Sequence, residues 1–290
     1  MKNLQPHLSP LLIRKAVEEA LQEDLGRAGD ITSNATIPED ASAKCSLVTR
    51  EDGVLAGIDL AEAAFFALDA EVKFTGEKSD CDSVKAGQTL AVVDGNARSI
   101  LAAERVALNF LMRMSGIATY TSEFADLVSH TEAKICCTRK TIPGHRAFDK
   151  YAVKCGGGSN HRFGLDDAIL IKDNHIAVAG SVGLAVRRAK SFAGHLVKVE
   201  VEVDSLEQLA EALEVAPDVV LLDNMTIDEL KSAVELNHRQ NNGVVKLEAS
   251  GNVDIDTVKE IAETGVDYIS TSKITMAAPT LDIGLDIRIG

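Results

Sequence analysis

The sequence predicts an α/β protein whose later part is a parallel sheet wound as a barrel or an incomplete barrel, with a doubly wound open sheet as the alternative. Three observations carry this. Short strand-like runs and amphipathic helices are mixed through the first part of the chain. From Ala133 the rhythm becomes strand, helix, strand, helix, which implies parallel strands joined by crossovers. The ends of those later strands carry Lys, Arg, Asp, Glu, Ser and Gly rather than apolar residues.

Ser9-Pro10 opens a helix with Leu12, Ala16, Ala20 and Leu21 among its apolar positions. Strand-like runs follow at Cys45–Thr49, Val72–Phe74 and Thr89–Val93. Asp52-Gly53 and Asp94-Gly95 mark turns around them. A long helical pattern starts near Arg98 and carries Ile100, Leu101, Ala107, Leu108 and Leu111; Gly116 is expected to interrupt or end its first section. Strands are then expected at Ala133–Thr138, Ala168–Lys172, Leu196–Val203, Val219–Leu222, Val244–Ala249 and Tyr268–Ser270. Helices between them are expected at Leu206–Val215, Ile227–Asn237 and Ile255–Thr264.

The chain has 290 residues, 46% hydrophobic and 26% charged, which reads as globular. No apolar run approaches the ~18 residues of a membrane span. The N-terminal MKNLQPHLSP has no apolar signal core, so a cytoplasmic protein is expected. Five cysteines with no C-x-x-C argue against a disulfide framework or a zinc site. A net charge of -14 makes nucleic acid and anionic membranes poor partners.

That charge is unevenly spread. Between Lys134 and His175 eight Lys and Arg stand against four Asp, and three of the seven histidines fall there, His145, His161 and His175. A basic focus on an acidic body suits a small, highly anionic ligand. In "VKVEVEVDS" the valines take one face of a strand, and Lys198, Glu200 and Glu202 the other. "VVKLEAS" repeats this with Lys246 and Glu248, and Lys134 shares a face with Cys136 and Thr138. A polar barrel interior leading up to a site explains the pattern; a wet edge strand is the plainer alternative.

In β/α barrels the chemistry sits at the C-terminal strand ends. Those ends read Arg139 and Lys140, Lys172 and Asp173, Glu202, Asp223, Ser250 and Gly251, then Ser270. The cations suit carboxylates or phosphates. Glu202 and Asp223 suit Mg²⁺, and the small-residue turns offer backbone N–H groups to phosphate. "CGGGSNHR" is neither a P-loop nor a G-x-G-x-x-G motif.

The stretch "TRKTIPGHRAFDKYAVKCGGGSNHRFGLDDAILIKDNHI" resembles the signature of the quinolinate phosphoribosyltransferase family. "EDLGRAGDIT", "ERVALNFLMRMSGIAT", "VEVEV", "LLDNM", "EASGN" and "APTLDIGLD" follow in the family order, so the resemblance spans essentially the whole chain. It implies an N-terminal α/β sandwich domain over residues 1–115, with 277–290 returning to it, and an incomplete parallel α/β barrel over 116–276, the type II phosphoribosyltransferase architecture. It implies phosphoribosyl transfer to quinolinate with decarboxylation, Mg²⁺ dependence, a place in NAD biosynthesis and a homodimer.

The resemblance also implies roles for residues. Arg139, His161 and Arg162 match positions that grip the two carboxylates of quinolinate, and Arg105 matches an arginine donated across the dimer interface. Lys140 and Lys172 match lysines between the two substrates. Glu202 and Asp223 match carboxylates at the ribose hydroxyls and metal. Ser250, Gly251 and Asn252, with Ser270, Thr271 and Ser272, match the phosphate-holding turns. Two departures fall near the second turn: many members have glycine in place of Ser272 and a histidine near Met276. Gly156, Gly157 and Gly158 are expected to form a flexible turn or a close backbone approach.

Overall fold

The computed structural model describes residues 6–288. In chain order the elements are α1 (Pro10–Leu25), α2 (Ile31–Thr36), β1 (Ser42–Thr49), β2 (Gly53–Val54), α3 (Ile58–Leu68), β3 (Lys73–Gly76), β4 (Ser83–Val84), β5 (Thr89–Asn96) and α4 (Ala97–Val128). There follow β6 (Lys134–Cys136), α5 (Arg146–Cys155), β7 (Ile169–Ile171), α6 (Asp173–Ala179), α7 (Val182–Phe192), β8 (Val199–Val203), α8 (Leu206–Val215) and β9 (Val219–Asp223). The last are α9 (Ile227–Asn241), β10 (Lys246–Ser250), α10 (Val258–Ala262), β11 (Tyr268–Ser270), α11 (Lys273–Met276) and β12 (Ile283–Arg288). Two compact units result. One holds the chain to Ser122, Ala147–Gly157 and the stretch from Ala278; the other holds Glu123–Arg146 and Gly158–Ala277.

The first unit is built on a four-stranded antiparallel sheet in the order β12-β1-β5-β3. Its apolar side chains Cys45, Leu47, Leu90 and Val93 are buried together with Leu60, Ala64 and Phe65 of α3 and Ile100 and Leu111 of α4. Helix α4 runs unbroken through Gly116, contrary to the expected interruption. A Cβ there would lie 2.0 Å from Pro279 O and 2.9 Å from Thr280 Cα. The glycine therefore lets the returning C-terminal segment lie against the helix, where Leu281 N–H donates to Met112 O at 3.0 Å. Gly156 follows the same logic: its Cβ would meet Ala118 O at 2.2 Å. Gly157, at φ +84°, makes the turn out of α5 that a side chain would strain.

The second unit is a six-stranded parallel sheet in the order β6-β11-β10-β9-β8-β7. The strands thus follow one another around a ring, and among the described residues β6 and β7 are not paired. This is an α/β barrel left open between its first two strands. A doubly wound sheet would instead reverse its strand order at a switch point.

At β6 the open edge is partly occupied. Ser159 forms an isolated parallel bridge with Cys136, its N–H donating to Ile135 O at 2.7 Å and its C=O accepting from Cys137 N at 3.1 Å. Directly after the glycines, the chain is pinned beside the barrel.

The alternating charges of β8 and β10 divide by depth. Glu200 and Glu248 are buried, 7% and 4% exposed. Lys198 and Lys246 lie exposed at the strand starts, each paired with an aspartate of the next strand's approach, Asp218 and Asp267. Lys134 is exposed as well. The barrel interior therefore carries buried acids, not charges of both signs: a lysine at a strand start reaches water, and a glutamate one turn of the pleat further in does not.

Candidate active site

A cavity of about 830 Å³ opens at the C-terminal ends of β6–β11, within the usual size range of a ligand site. It is lined by Arg139, Lys140, His161, Arg162, Lys172, Glu202, Asp223, Ser250, Gly251, Asn252, Ser270, Thr271 and Ser272, all expected from sequence. Thr138, Asn224, Glu248 and Lys273 line it too. Five of the lining residues are Lys or Arg and three are Asp or Glu, so positive charge prevails locally in a chain of net charge -14. Arg105 stands exposed on α4 in the first unit and is not among the lining residues.

The strand-end loops hold the cations in place. Lys140 sits where β6 leaves the barrel; its N–H donates to Thr138 Oγ1 at 2.9 Å, and its C=O accepts from Thr275 Oγ1 at 2.8 Å. The Arg162 Nη1 donates to Ala168 O at 3.1 Å, while its buried Nε has no hydrogen-bond partner. Burial first, then the neighbouring Arg139, press the Arg162 guanidinium toward losing its charge. An anion placed between the two arginines relieves both effects. Lys172 leaves β7 as the residue before α6, and its ammonium pairs with Glu202. His175 closes that turn, its Nδ1 accepting from Lys172 N–H at 3.0 Å, so this histidine of the basic cluster caps a helix.

The first small-residue turn is linked to Asp223 through Asn224. Asn224 Nδ2 donates to Asp223 Oδ2 at 2.8 Å, and Asn252 Nδ2 donates to Asn224 Oδ1 at 3.3 Å. Gly251 has φ +93°, and a Cβ there would lie 2.1 Å from Asn224 Oδ1. On the second turn, Lys273 Nζ reaches Asp254 Oδ2 at 3.2 Å, and Thr271 Oγ1 donates to Val253 O at 3.2 Å. Ser272 lines the cavity, and Met276 is 54% exposed outside it.

Beneath Arg162 lies a buried cluster. His161 Nε2 is 2.8 Å from Glu200 Oε2 and 3.7 Å from Glu248 Oε1. Its Nδ1 accepts the backbone N–H of Arg162 at 2.8 Å. Burial, then Glu200, push the Glu248 carboxyl up to about 7. The ligand atoms of His161, Glu200 and Glu248 lie within 4.8 Å of one another. For Mg²⁺ the better donors are Glu202 and Asp223: oxygen ligands at the rim, each with one oxygen engaged and a second to offer.

Residues 30–115 match the model of the quinolinate phosphoribosyl transferase N-terminal domain, and residues 117–286 that of its C-terminal domain. The chain belongs to the quinolinate phosphoribosyl transferase family. A nicotinate-nucleotide pyrophosphorylase (carboxylating) of Mycobacterium leprae is 44% identical over 279 residues, 94% of this chain and 96% of that protein. A probable nicotinate-nucleotide pyrophosphorylase (carboxylating) of Bacillus subtilis is 39% identical over 282 residues, 97% and 96%. The solved nicotinate-nucleotide pyrophosphorylase of Francisella tularensis superposes with a TM-score of 0.90 at 40% identity, covering 97% of this chain and 98% of that one.

For this member of the family, sequence reasoning overlooked several residues at the site. Glu200 and Glu248 had a signal, the alternation in "VEVEV" and "KLEAS", but it does not say which charges face inward. Lys273 follows the STS turn directly, and only the course of α11 places it at the cavity. Thr275 carried no signal: it acts through a carbonyl 135 residues away in sequence.

Proposed function

We infer that this chain transfers the phosphoribosyl group of phosphoribosyl pyrophosphate to quinolinate, with loss of CO₂, giving nicotinate mononucleotide and pyrophosphate in de novo NAD biosynthesis. Family membership supports the reaction. The observation that carries the substrate is the pair Arg139 and Arg162, two cations that disfavour each other, one with an unpartnered buried N–H. Two carboxylates on one ring answer both.

In this reading Arg139 and Arg162 take the carboxylates, and Lys140 and Lys172 stand between the substrates and offset the repulsion of two anions brought together. Ser250, Gly251 and Asn252, with Ser270, Thr271 and Ser272, hold phosphate through N–H and hydroxyl groups. Glu202 and Asp223 orient the ribose hydroxyls and favour positive charge developing at the anomeric carbon as the pyridine nitrogen attacks. The same two carboxylates would hold Mg²⁺, which when bound offsets charge on the leaving pyrophosphate. The pyridinium so formed is the electron sink for loss of the adjacent carboxylate. We place the reaction in the cytoplasm, in a homodimer whose partner copy donates Arg105 to the quinolinate pocket.

Calorimetry of quinolinate binding tests the assignment. A charged hydrogen bond contributes ~1.5–3 kcal/mol, so Arg139→Ala should weaken binding by on the order of 10- to 100-fold. Nicotinate, with one carboxylate, should bind the wild type more weakly than quinolinate. Equal binding of the two acids would refute a two-carboxylate pocket.

A further inference from the structure

His161 lies in the wall of the cavity, yet both of its ring nitrogens are already committed. Nδ1 accepts the Arg162 backbone N–H at 2.8 Å, so that nitrogen carries no proton. The single ring proton is therefore on Nε2, where it faces Glu200 Oε2 at 2.8 Å. This hydrogen-bond pattern is the one a neutral ring makes. The ring has no free lone pair for a metal ion and no free N–H for a carboxylate.

The groups around it are costly to keep. Glu200 and Glu248 are over nine-tenths buried, and the Oε1 of each has no hydrogen-bond partner. Buried, incompletely satisfied carboxyl groups destabilise a fold, so each one calls for an explanation. Here they clasp one ring edge, and the opposite ring edge holds the backbone of Arg162.

We propose that His161 serves quinolinate binding as a neutral positioning residue: clasped by the buried carboxyl groups of Glu200 and Glu248, it fixes the backbone of Arg162 and leaves the carboxylate contact to that guanidinium. Glu200 and Glu248 are thereby positioning residues of the same pocket. This rests on the quinolinate reading of the cavity.

The test combines ¹⁵N NMR of histidine-labelled enzyme with steady-state kinetics. At pH 7 the His161 ring should show a proton on Nε2 alone, both in free enzyme and with saturating quinolinate. Glu200→Ala should raise the quinolinate KM ~10-fold, the loss expected for one charge-assisted hydrogen bond, with the phosphoribosyl pyrophosphate KM within about 2-fold. Glu200→Gln keeps an oxygen for the Nε2 proton and should stay within about 3-fold of wild type. Protonation of both ring nitrogens on adding quinolinate would overturn the proposal, as would equal losses in the Gln and Ala variants or a parallel rise in both KM values. If Glu200→Ala does not fold, the NMR spectrum and the Gln variant still decide. Wild-type enzyme without quinolinate turnover would instead defeat the functional reading, and the free-enzyme spectrum would still test the state of the ring by itself.

Discussion

Gly251→Ala is a small change with a calculable effect. At φ +93° an L side chain costs about 1–2 kcal/mol from backbone strain alone. The new methyl would also lie 2.1 Å from Asn224 Oδ1 and 2.9 Å from Asn224 N. The side chain can rotate away; the backbone nitrogen, bonded to Ser250 O at 2.9 Å, cannot do so without breaking the β9–β10 rim. Overpacking of this kind adds about 1–3 kcal/mol. At about 2–4 °C per kcal/mol, Tm should fall by on the order of 5 °C or more. Rotation of Asn224 breaks its bonds to Asp223 and Asn252, the link between that carboxylate and the turn proposed to hold phosphate. The phosphoribosyl pyrophosphate KM should rise roughly 10-fold for one such charge-assisted bond. Quinolinate affinity should hold, because the change touches neither Arg139 nor Arg162, the residues proposed to take its carboxylates. Melting scans and paired KM measurements read both effects. A variant with wild-type Tm and wild-type KM for phosphoribosyl pyrophosphate would refute the reasoning about this turn.

Other consequences are equally direct. Gly116→Ala places a methyl 2.0 Å from Pro279 O, a backbone atom, and should lower Tm more than Ala substitution at any exposed α4 position. Glu248, its folded pKa raised to about 7 from 4.5, favours the folded state most below pH 4.5, and that contribution is lost as pH rises through 7. Glu248→Gln should therefore remove a downward slope in Tm between about pH 5 and pH 8, measured by melting against wild type; an unchanged slope would place the proton elsewhere. Arg105→Ala and Arg139→Ala should each be strongly impaired alone at quinolinate near the wild-type KM, while mixed, re-equilibrated samples should regain up to about a quarter of wild-type activity through hybrid dimers. No recovery would show that Arg105 does not act across an interface.

Most of the site was legible because it is built from strand ends. Lys172 and Asp223 directly follow apolar runs, and Lys140, Glu202 and Ser250 fall at the ends of other strand-like runs, so their place in order predicts their place in space. Local order could not give depth or long-range contact. The same alternation that exposes Lys198 buries Glu200, and only the depth of each residue along its strand in the folded sheet decides that. Gly116 looked like a helix breaker because its partner, Pro279, lies far along the chain. Gly156 likewise makes sense only beside Ala118, on a helix that ends well before it in sequence.

The central claim is that two anions meet in one pocket and leave joined, less one carboxylate. Pyrophosphate and CO₂ released by the purified chain from quinolinate and phosphoribosyl pyrophosphate, with Mg²⁺ present, measure it most directly. Both products are expected in a one-to-one ratio, with Arg139→Ala forming both at a rate lower by on the order of 10-fold or more at a quinolinate concentration near the wild-type KM. Pyrophosphate without CO₂, or release of both by the Arg139 variant at the wild-type rate, would contradict it.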